Sequence, residues 1–439
     1  MKRVVVFGSG KVARPAIRTL LGTGHQVTVA TDQPEVGRAL LGDHAHGNVL
    51  EVDASNIRQV ESAVVDADAA ISLLPVTFHL RVAEACVARK TPFVTTSYVS
   101  AEMRALDGAA REAGVILLNE VGADPGIDHM QAMRLIHGVY EQGGTVTGLR
   151  SMCGGIPAAD SADNPFRYKI SWSTRGVVLA GKRPARFLRR GETVDVPSLG
   201  VFDHAEPLTV PEIGTLESYP NGDSIRFVNE YALGRVDTMI RGTLRWSGWC
   251  ETWSALARLG FLDDVPGQPL GPTYAGEMCR ATHRPNASHP RAAAAEHLGL
   301  PEDHAILDRL HWLGLFSAES VPEFAHTRAD LLVHRMDASM QYDVDERDML
   351  VMNHVVEFRD ARGAPRRRRA SLVEYGVPGG DSAMSRTVGI PAACAVRRIL
   401  DGTIGDVGVQ IPVKPSIYEP VLADLDAMGI REVVEELSA

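Results

Sequence analysis

Cysteine is scarce in this 439-residue chain: Cys86, Cys153, Cys250, Cys279 and Cys394 are scattered, with no CxxC pair. An odd, dispersed set fits reduced thiols better than a disulfide framework or a zinc site. There is no HExxH and no clustered His/Cys spacing, so no metal site is expected. No apolar run is long enough to span a bilayer. The chain opens directly on a strand rather than on a charged-then-apolar leader, which predicts a cytosolic protein. Basic residues are outnumbered, 45 against 55 acidic, and the net charge of −10 argues against nucleic acid or an anionic membrane as partner. Repeats and low-complexity linkers are absent too, so the domains are expected to be interwoven rather than strung in a line.

What is present begins at once. Val4-Val5-Val6-Phe7 runs into Gly8-Ser9-Gly10-Lys11-Val12-Ala13, a helical stretch follows through Leu21, and a second strand, Val27–Ala30, ends at Thr31-Asp32. Strand, Gly-rich turn, helix, strand and acid in that order form a dinucleotide-binding unit. Gly8 allows the tight turn, Gly10 lets backbone approach a pyrophosphate, and Ala13 permits close helix–strand packing. The helix-start N–H groups face the phosphates.

The length allows two or three domains. Strands at 69–74, 93–96 and 115–118 alternate with helices at 80–89 and 101–113, which predicts a doubly wound parallel sheet with ligands at the strand C-termini. The turns there, Gly8–Val12, Asp32, Asp53, Leu74–Thr77, Ser97-Tyr98 and Glu120–Gly126, are the candidate site. From about Thr145 the pattern changes to strand-like runs (146–152, 193–196, 241–246, 351–358, 370–375), suggesting an antiparallel sheet packed on helices. Residues 260–335 read as a small helical insertion. Arg366–Arg369 reads as a solvated hairpin turn, and Pro391 as lying near the start of a helix 391–400.

Three polar elements could carry chemistry: Thr96-Ser97-Tyr98, Asn119–His129 and Ser151–Gly155. Asp128 is expected to cap a helix 130–139. Asp124, before Pro and Gly, cannot easily do so and is assigned to the site. Tyr98 lies just past a strand end, and Cys153 in a Gly-rich turn, where a small buried hydrophobe is the other reading. His79 and His129 read as structural. Lys169 and Arg175 flank 170–174, and Arg241 and Arg245 bracket Gly242–Leu244. Such basic residues can fork onto substrate carboxylates or form surface salt bridges.

With these residues in place, the chain resembles the saccharopine reductase family (saccharopine dehydrogenase, glutamate-forming). The stretches that carry the likeness are GSGKVARP (8–15), ISLLPVTFH (71–79), VTTSYVS (94–100), NEVGADPGIDH (119–129), CGGIPAADSADNP (153–165), YKISWSTRGV (168–177), IRGTLRW (240–246), GFLDD (260–264), LVEYG (372–376) and SAMSRTVGIPAA (382–393). The resemblance implies an α/β fold. A Rossmann-type domain (1–128, completed by 390–439) is joined to an α/β substrate and dimerisation domain (129–259 and 336–389) and a helical insertion (260–335). It implies a homodimer acting on small amino-acid substrates. The implied reaction condenses allysine with glutamate to an imine, which nicotinamide hydride reduces to a secondary amine. Tyr98, Asp124 and Cys153 match the active centre. Cofactor contacts are expected from Gly8, Ser9, Gly10, Lys11, Val12, Asp32, Asp53, Leu74, Ser97, Ala123, Gly126 and Ser173. Substrate contacts are expected from Ser97, Tyr98, Asp124, Lys169, Arg241, Thr243 and Arg245.

Two departures stand out. NADP-using members have Arg just after strand two, where this chain has Asp32; a carboxylate there accepts from a ribose 2′-OH and repels a 2′-phosphate, which predicts NAD over NADP. Members commonly carry Arg where Gly222 stands, and losing a bidentate charged hydrogen bond costs about 2–3 kcal/mol of binding. Arg226 lies four residues further on. Reductive condensation of another amine–carbonyl pair, opine- or polyamine-like, and a non-catalytic nucleotide-binding protein are the competing readings.

Overall fold

Alternating apolar β-formers and amphipathic helices build two compact units in a computed structural model that describes residues 1–267 and 269–438: Met1–Val146 with His354–Ala439, and Thr147–Asn353. Gln268 and Ala439, which fall in the expected segments 260–335 and 390–439, lie outside the described residues. The first unit holds a seven-stranded, all-parallel sheet: β1 (Arg3–Phe7), β2 (Gln26–Thr31), β3 (Gly47–Glu51), β4 (Ala69–Ser72), β5 (Phe93–Thr95), β6 (Ile116–Leu118) and, from the far end of the chain, β15 (Gly408–Gln410). Their order is β15-β6-β5-β4-β1-β2-β3, so the sheet reverses direction between β1 and β4. That reversal opens a crevice at the strand C-termini. Val4 to Phe7 are buried, as a parallel strand covered on both faces requires.

Helix Ala13–Gly22 lies against helix Ala383–Leu400, and the approach is close: a Cβ on Gly389 would stand 2.6 Å from the Val12 carbonyl oxygen. This helix corrects one expectation. It starts not at Pro391 but at Ala383, capped by Ser382, whose hydroxyl accepts from Ser385 N, and Pro391 lies inside it. Apolar packing on the neighbouring helix outweighs the interrupted hydrogen-bond ladder.

The second unit takes β7 (Thr145–Pro157), β8 (Ala185–Arg189), β9 (Glu192–Val196), β10 (Glu206–Val210), β11 (Gly214–Pro220), β12 (Thr238–Trp246) and the start of β13 (Asp348–Arg359). Along the sheet the order is β10-β11-β12-β7-β13. The expected antiparallel sheet is in fact mixed, because β7 and β12 run parallel. The long crossover between them, which includes β8–β11, makes that direction reachable. Between β12 and β13 the described residues form helices, Trp249–Arg258, Tyr274–Ala281, Pro290–Leu298, Ala305–Trp312 and Arg328–Ser339, and no strand.

Back in the first unit, β14 (Pro365–Tyr375) pairs antiparallel with β16 (Val433–Leu437). The arginine run therefore lies on a strand and not in the turn, which is Asp360–Ala364. Its charges face acids across the ladder: Arg369 opposes and pairs with Glu435, Arg368 with Glu436.

Gly389→Ala should destabilise the protein by about 1–3 kcal/mol through overpacking. Gly405→Ala, whose Cβ would meet nothing within 4 Å, should not. Thermal denaturation of the two variants checks this.

Candidate active site

The Gly-rich turn is shaped by what surrounds it. Gly8 has φ +102, its N–H donates to Ala30 O at 2.9 Å, and a Cβ would press on the Leu73 carbonyl at 3.2 Å. Only glycine combines that φ with that clearance. Gly10 differs: a Cβ there would meet no protein atom within 4 Å. The space over Gly10 is open, beside a helix start, Val12-Ala13, that has no side-chain cap and no acid in its first turn. The Ala13 N–H donates to Gly10 O at 3.0 Å; an uncapped helix start beside open space fits a dinucleotide pyrophosphate. The exposed Lys11 adds a positive charge at this turn. Leu74 walls the turn, its Cδ2 3.5 Å from the Gly8 Cβ position.

Ser9 shares a 2.7 Å hydrogen bond with Thr31, whose oxygen also accepts from Gln33 N, tying the turn to the tip of β2. Asp32 follows, exposed. Asp53, at the tip of β3, accepts from Ser55 N at 2.8 Å, and the Ser55 side-chain and backbone hydrogen bonds hold its pKa below the usual carboxylate range. Its observed work is to shape its own turn.

Tyr98 and Asp124 come together. The Tyr98 hydroxyl donates to Asp124 Oδ1 at 2.8 Å, both side chains half-buried. The loops that carry them are joined by Glu120, which received no individual role in the sequence reading. Its Oε1 accepts from Val99 N at 2.9 Å, its Oε2 lies 2.7 Å from His129 Nε2, and its N–H donates to Ser97 O. Glu120 is buried and holds φ +61. The signal that could have found it is an acid between apolar residues at a strand end, where only a satisfied carboxylate is tolerated. Ala123 is buried, and Gly126 crosses so close to Gly122 that no side chain fits. Asp128 corrects an expectation: the helix is Ile127–Glu141, and Asp128 accepts from Gly126 N from within its first turn rather than preceding it.

Ser97 bonds to His79 Nε2 at 2.8 Å, and His79 Nδ1 to Ser72 at 2.8 Å, so a buried imidazole links the tips of β4 and β5. Burial pushes the His79 pKa down to about 4.

In the second unit, Arg241, Thr243 and Arg245 alternate along β12 and so share one face. Thr243 stands in register with Cys153 on β7 and with Tyr219 on β11. Cys153 is buried within a strand, not in a turn. Arg241 and Arg245 are buried, Arg241 over the Phe227 ring at 4.1 Å and Arg245 beside Tyr168 and Trp249. Arg226 lies 4.5 Å from the same Phe227 ring. Lys169 is in a loop between Glu346 and Asp163; burial pulls its pKa down, but hydrogen bonds to those two carboxylates raise it overall. Ser173 caps helix Thr174–Ala180. Arg175 pairs with Asp330. Gly222 has φ +64, backbone that disfavours an arginine. Among the described residues no group of three or more His, Cys, Asp or Glu could hold a metal, and no helix is long and apolar enough to cross a membrane.

A reversing parallel sheet, an open cradle at its first turn and a tyrosine–carboxylate pair at its tips define a dinucleotide-binding α/β protein. Comparison with known proteins narrows the class. The saccharopine dehydrogenase NADP binding domain model matches residues 4–118, and the saccharopine dehydrogenase C-terminal domain model matches 122–430. The chain belongs to the saccharopine dehydrogenase family. It is 35% identical to saccharopine dehydrogenase [NADP(+), L-glutamate-forming] of Pyricularia oryzae, over 97% of this chain and 96% of that one. It is 34% identical to the mitochondrial alpha-aminoadipic semialdehyde synthase of Bos taurus, over 98% of this chain but 47% of that one. The apo structure of saccharopine dehydrogenase (L-Glu forming) from Saccharomyces cerevisiae superposes with a TM-score of 0.92 at 34% identity, covering all of both chains.

His79 gives a pH signature. A free imidazole protonates near 6.5, whereas the buried one stays neutral down to about 4. Between those values the unfolded chain binds more protons, so stability falls as pH drops from about 6.5 to about 4, by up to about 3 kcal/mol from this group. In urea denaturation at pH 4.5 and 7.5, His79→Gln should lose less stability on acidification than the parent.

Proposed function

We propose that this chain is a nicotinamide-dependent oxidoreductase acting on a CH–NH bond. It reduces the imine formed from an allysine-like aldehyde and glutamate to saccharopine, or runs the reverse oxidation. The observation that carries the reading is the Tyr98–Asp124 hydrogen bond at the strand tips of the parallel sheet, in a chain that matches glutamate-forming saccharopine dehydrogenases over nearly its whole length. Bound nicotinamide supplies or accepts the hydride. The chain's own groups manage charge and protons. The Tyr98 hydroxyl orients the Asp124 carboxyl group by donating to Oδ1. That carboxylate stabilises the positive charge of an iminium and, in the oxidative direction, takes the proton from the secondary amine. The face of β12 offers Arg241 and Arg245 to substrate carboxylates, and Cys153 stands in register beside Thr243. Gly222 favours a second reading of the amine partner: with a left-handed glycine where the family resemblance leads one to expect arginine, an amino acid other than glutamate is accepted more readily.

NADP is the cofactor that the matched domain model and the relatives' names support. The NAD preference read from Asp32 has only that residue behind it, an exposed carboxylate at the β2 tip. The division into a nucleotide domain 1–128 closed by 390–439, a substrate domain and a helical insertion, the homodimer and the cytosolic location belong to the same proposal; light scattering of the purified chain tests the dimer.

Asp124→Asn should lower kcat by about 10²–10⁴-fold and leave the dissociation constant for NADPH, read by fluorescence titration, unchanged. Retained kcat removes Asp124 from the mechanism. Asp32→Ala should raise kcat/KM with NADPH by about fivefold, because two unit charges about 4 Å apart repel by about 1 kcal/mol in water-like surroundings. Steady-state kinetics with both cofactors reads that ratio.

A further inference from the structure

The tips of β4 and β5 are joined by a line of three side chains that the reaction described above does not use. Ser72 Oγ lies 2.8 Å from His79 Nδ1, and His79 Nε2 lies 2.8 Å from Ser97 Oγ. For each hydroxyl, that ring nitrogen is its one hydrogen-bond partner among the described residues. Ser72 is 0% and His79 4% exposed, whereas Ser97 is half-buried. Thr95 lies 3.3 and 3.4 Å from the two ring nitrogens, but its own proton is spent on Ser72 O at 2.9 Å.

A neutral imidazole carries one proton, and the surroundings decide on which nitrogen. Burial pushes the His79 pKa down to about 4, so the ring is neutral near pH 7. With the proton on Nδ1, the ring would donate to Ser72, and the fully buried O–H of Ser72 would be left without an acceptor. A buried donor left unpaired is the costlier fault. With the proton on Nε2, Ser72 donates to Nδ1 and the ring donates to Ser97 Oγ. The one proton left over is then that of Ser97, the least buried of the three.

Position supplies an acceptor for it. Ser72 stands in register with Phe7, the residue before the Gly8 turn, and β5 is the next strand of the sheet. Ser97, just past the β5 tip, is therefore two strands from the Gly-rich turn, about 10 Å at the usual spacing. A nicotinamide riboside reaches about that far from its phosphate.

We propose that His79 is a positioning residue: held by Ser72 as the Nε2–H tautomer, it donates to Ser97 and so turns the Ser97 proton toward an acceptor oxygen on the nicotinamide side of a bound dinucleotide. Ser72 fixes the tautomer, His79 carries that choice to the edge of the crevice, and Ser97 makes the contact. Only the identity of the acceptor rests on the proposed cofactor.

Nitrogen-15 NMR of the full-length protein with labelled histidine reads the tautomer without any ligand, His79→Gln identifying the signals. At pH 7.5 His79 should show a protonated Nε2 and a bare Nδ1; a proton on Nδ1 overturns the proposal. Fluorescence titration with NADPH reads the coupling. Ser97→Ala should weaken NADPH about fivefold, as loss of one hydrogen bond between neutral groups does. His79→Leu, which cannot donate, should weaken it by a similar factor, and His79→Gln, whose amide N–H replaces Nε2–H, should regain most of the affinity. In the double variant, His79→Leu should cost nothing beyond Ser97→Ala, because it acts through that hydroxyl. A histidine that only holds the fold gives losses that multiply, or a lower melting temperature with unchanged NADPH affinity, and either result overturns the proposal. So does a Ser97→Ala effect confined to the KM of the amino-acid substrate. If NADPH binds the parent but the cycle shows no coupling, the relay falls and the cofactor reading stands. If the parent takes up no NADPH, the cofactor reading falls and takes the acceptor with it.

Discussion

One buried carboxylate holds the loops that bring Tyr98 and Asp124 together. Glu120 accepts the Val99 amide with one oxygen and meets His129 with the other, and its own amide reaches back to Ser97. A charge out of water is tolerated only when its lone pairs are filled, so this network has few alternative arrangements. It clamps the segment after β5 to the segment after β6, and those segments carry Tyr98 and Asp124. The left-handed φ of Glu120 is the local cost of aiming its side chain inward, sustained by the contacts it makes.

Elsewhere, closeness of backbone sets side-chain placement. A Cβ on Gly154 would stand 2.5 Å from Leu244 O, and one on Gly242 2.5 Å from Tyr219 O. The strands β7, β12 and β11 meet only because these residues have no side chains. Their neighbours Cys153, Thr243, Arg241 and Arg245 are thereby held at fixed register on a dense sheet. The same rule governs the nucleotide unit, where Gly8 makes room for the Leu73 carbonyl and Gly389 for the Val12 carbonyl. Small residues act in this fold as distance constraints more than as hinges.

Much of the first unit was legible because its signals are local. Apolar runs ending at Phe7, Ala30 and Leu118, punctuated by Gly8 and Asp32, specify parallel strands and their tips without any tertiary information. The resemblance to the family, not any local pattern, is what singles out Tyr98, Asp124 and Arg245. What escaped depends on partners distant in sequence. Arg366–Arg369 read as a turn because Glu435 and Glu436, about seventy residues away, supply the strand that pairs them. Pro391 read as a helix start because the packing that carries the helix through it comes from residues 13–22. The ion pair of Lys169 with Glu346 was not legible because Glu346 is remote in the chain. Asp128 was placed in the right turn but in the wrong capping geometry, a difference of one or two residues that periodicity cannot resolve.

The closing strand of the nucleotide sheet, β15, and the helix Ala383–Leu400 that covers Ala13–Gly22 come from the last sixty residues of the chain. A ribosome delivers β1 first and β15 last, with the whole second unit emerging in between. The early sheet therefore waits with one edge and one helix face uncovered while more than 250 residues are synthesised. Nucleotide capture becomes a property of the finished polypeptide, and a message truncated before codon 383 yields a protein whose cradle has lost its backing.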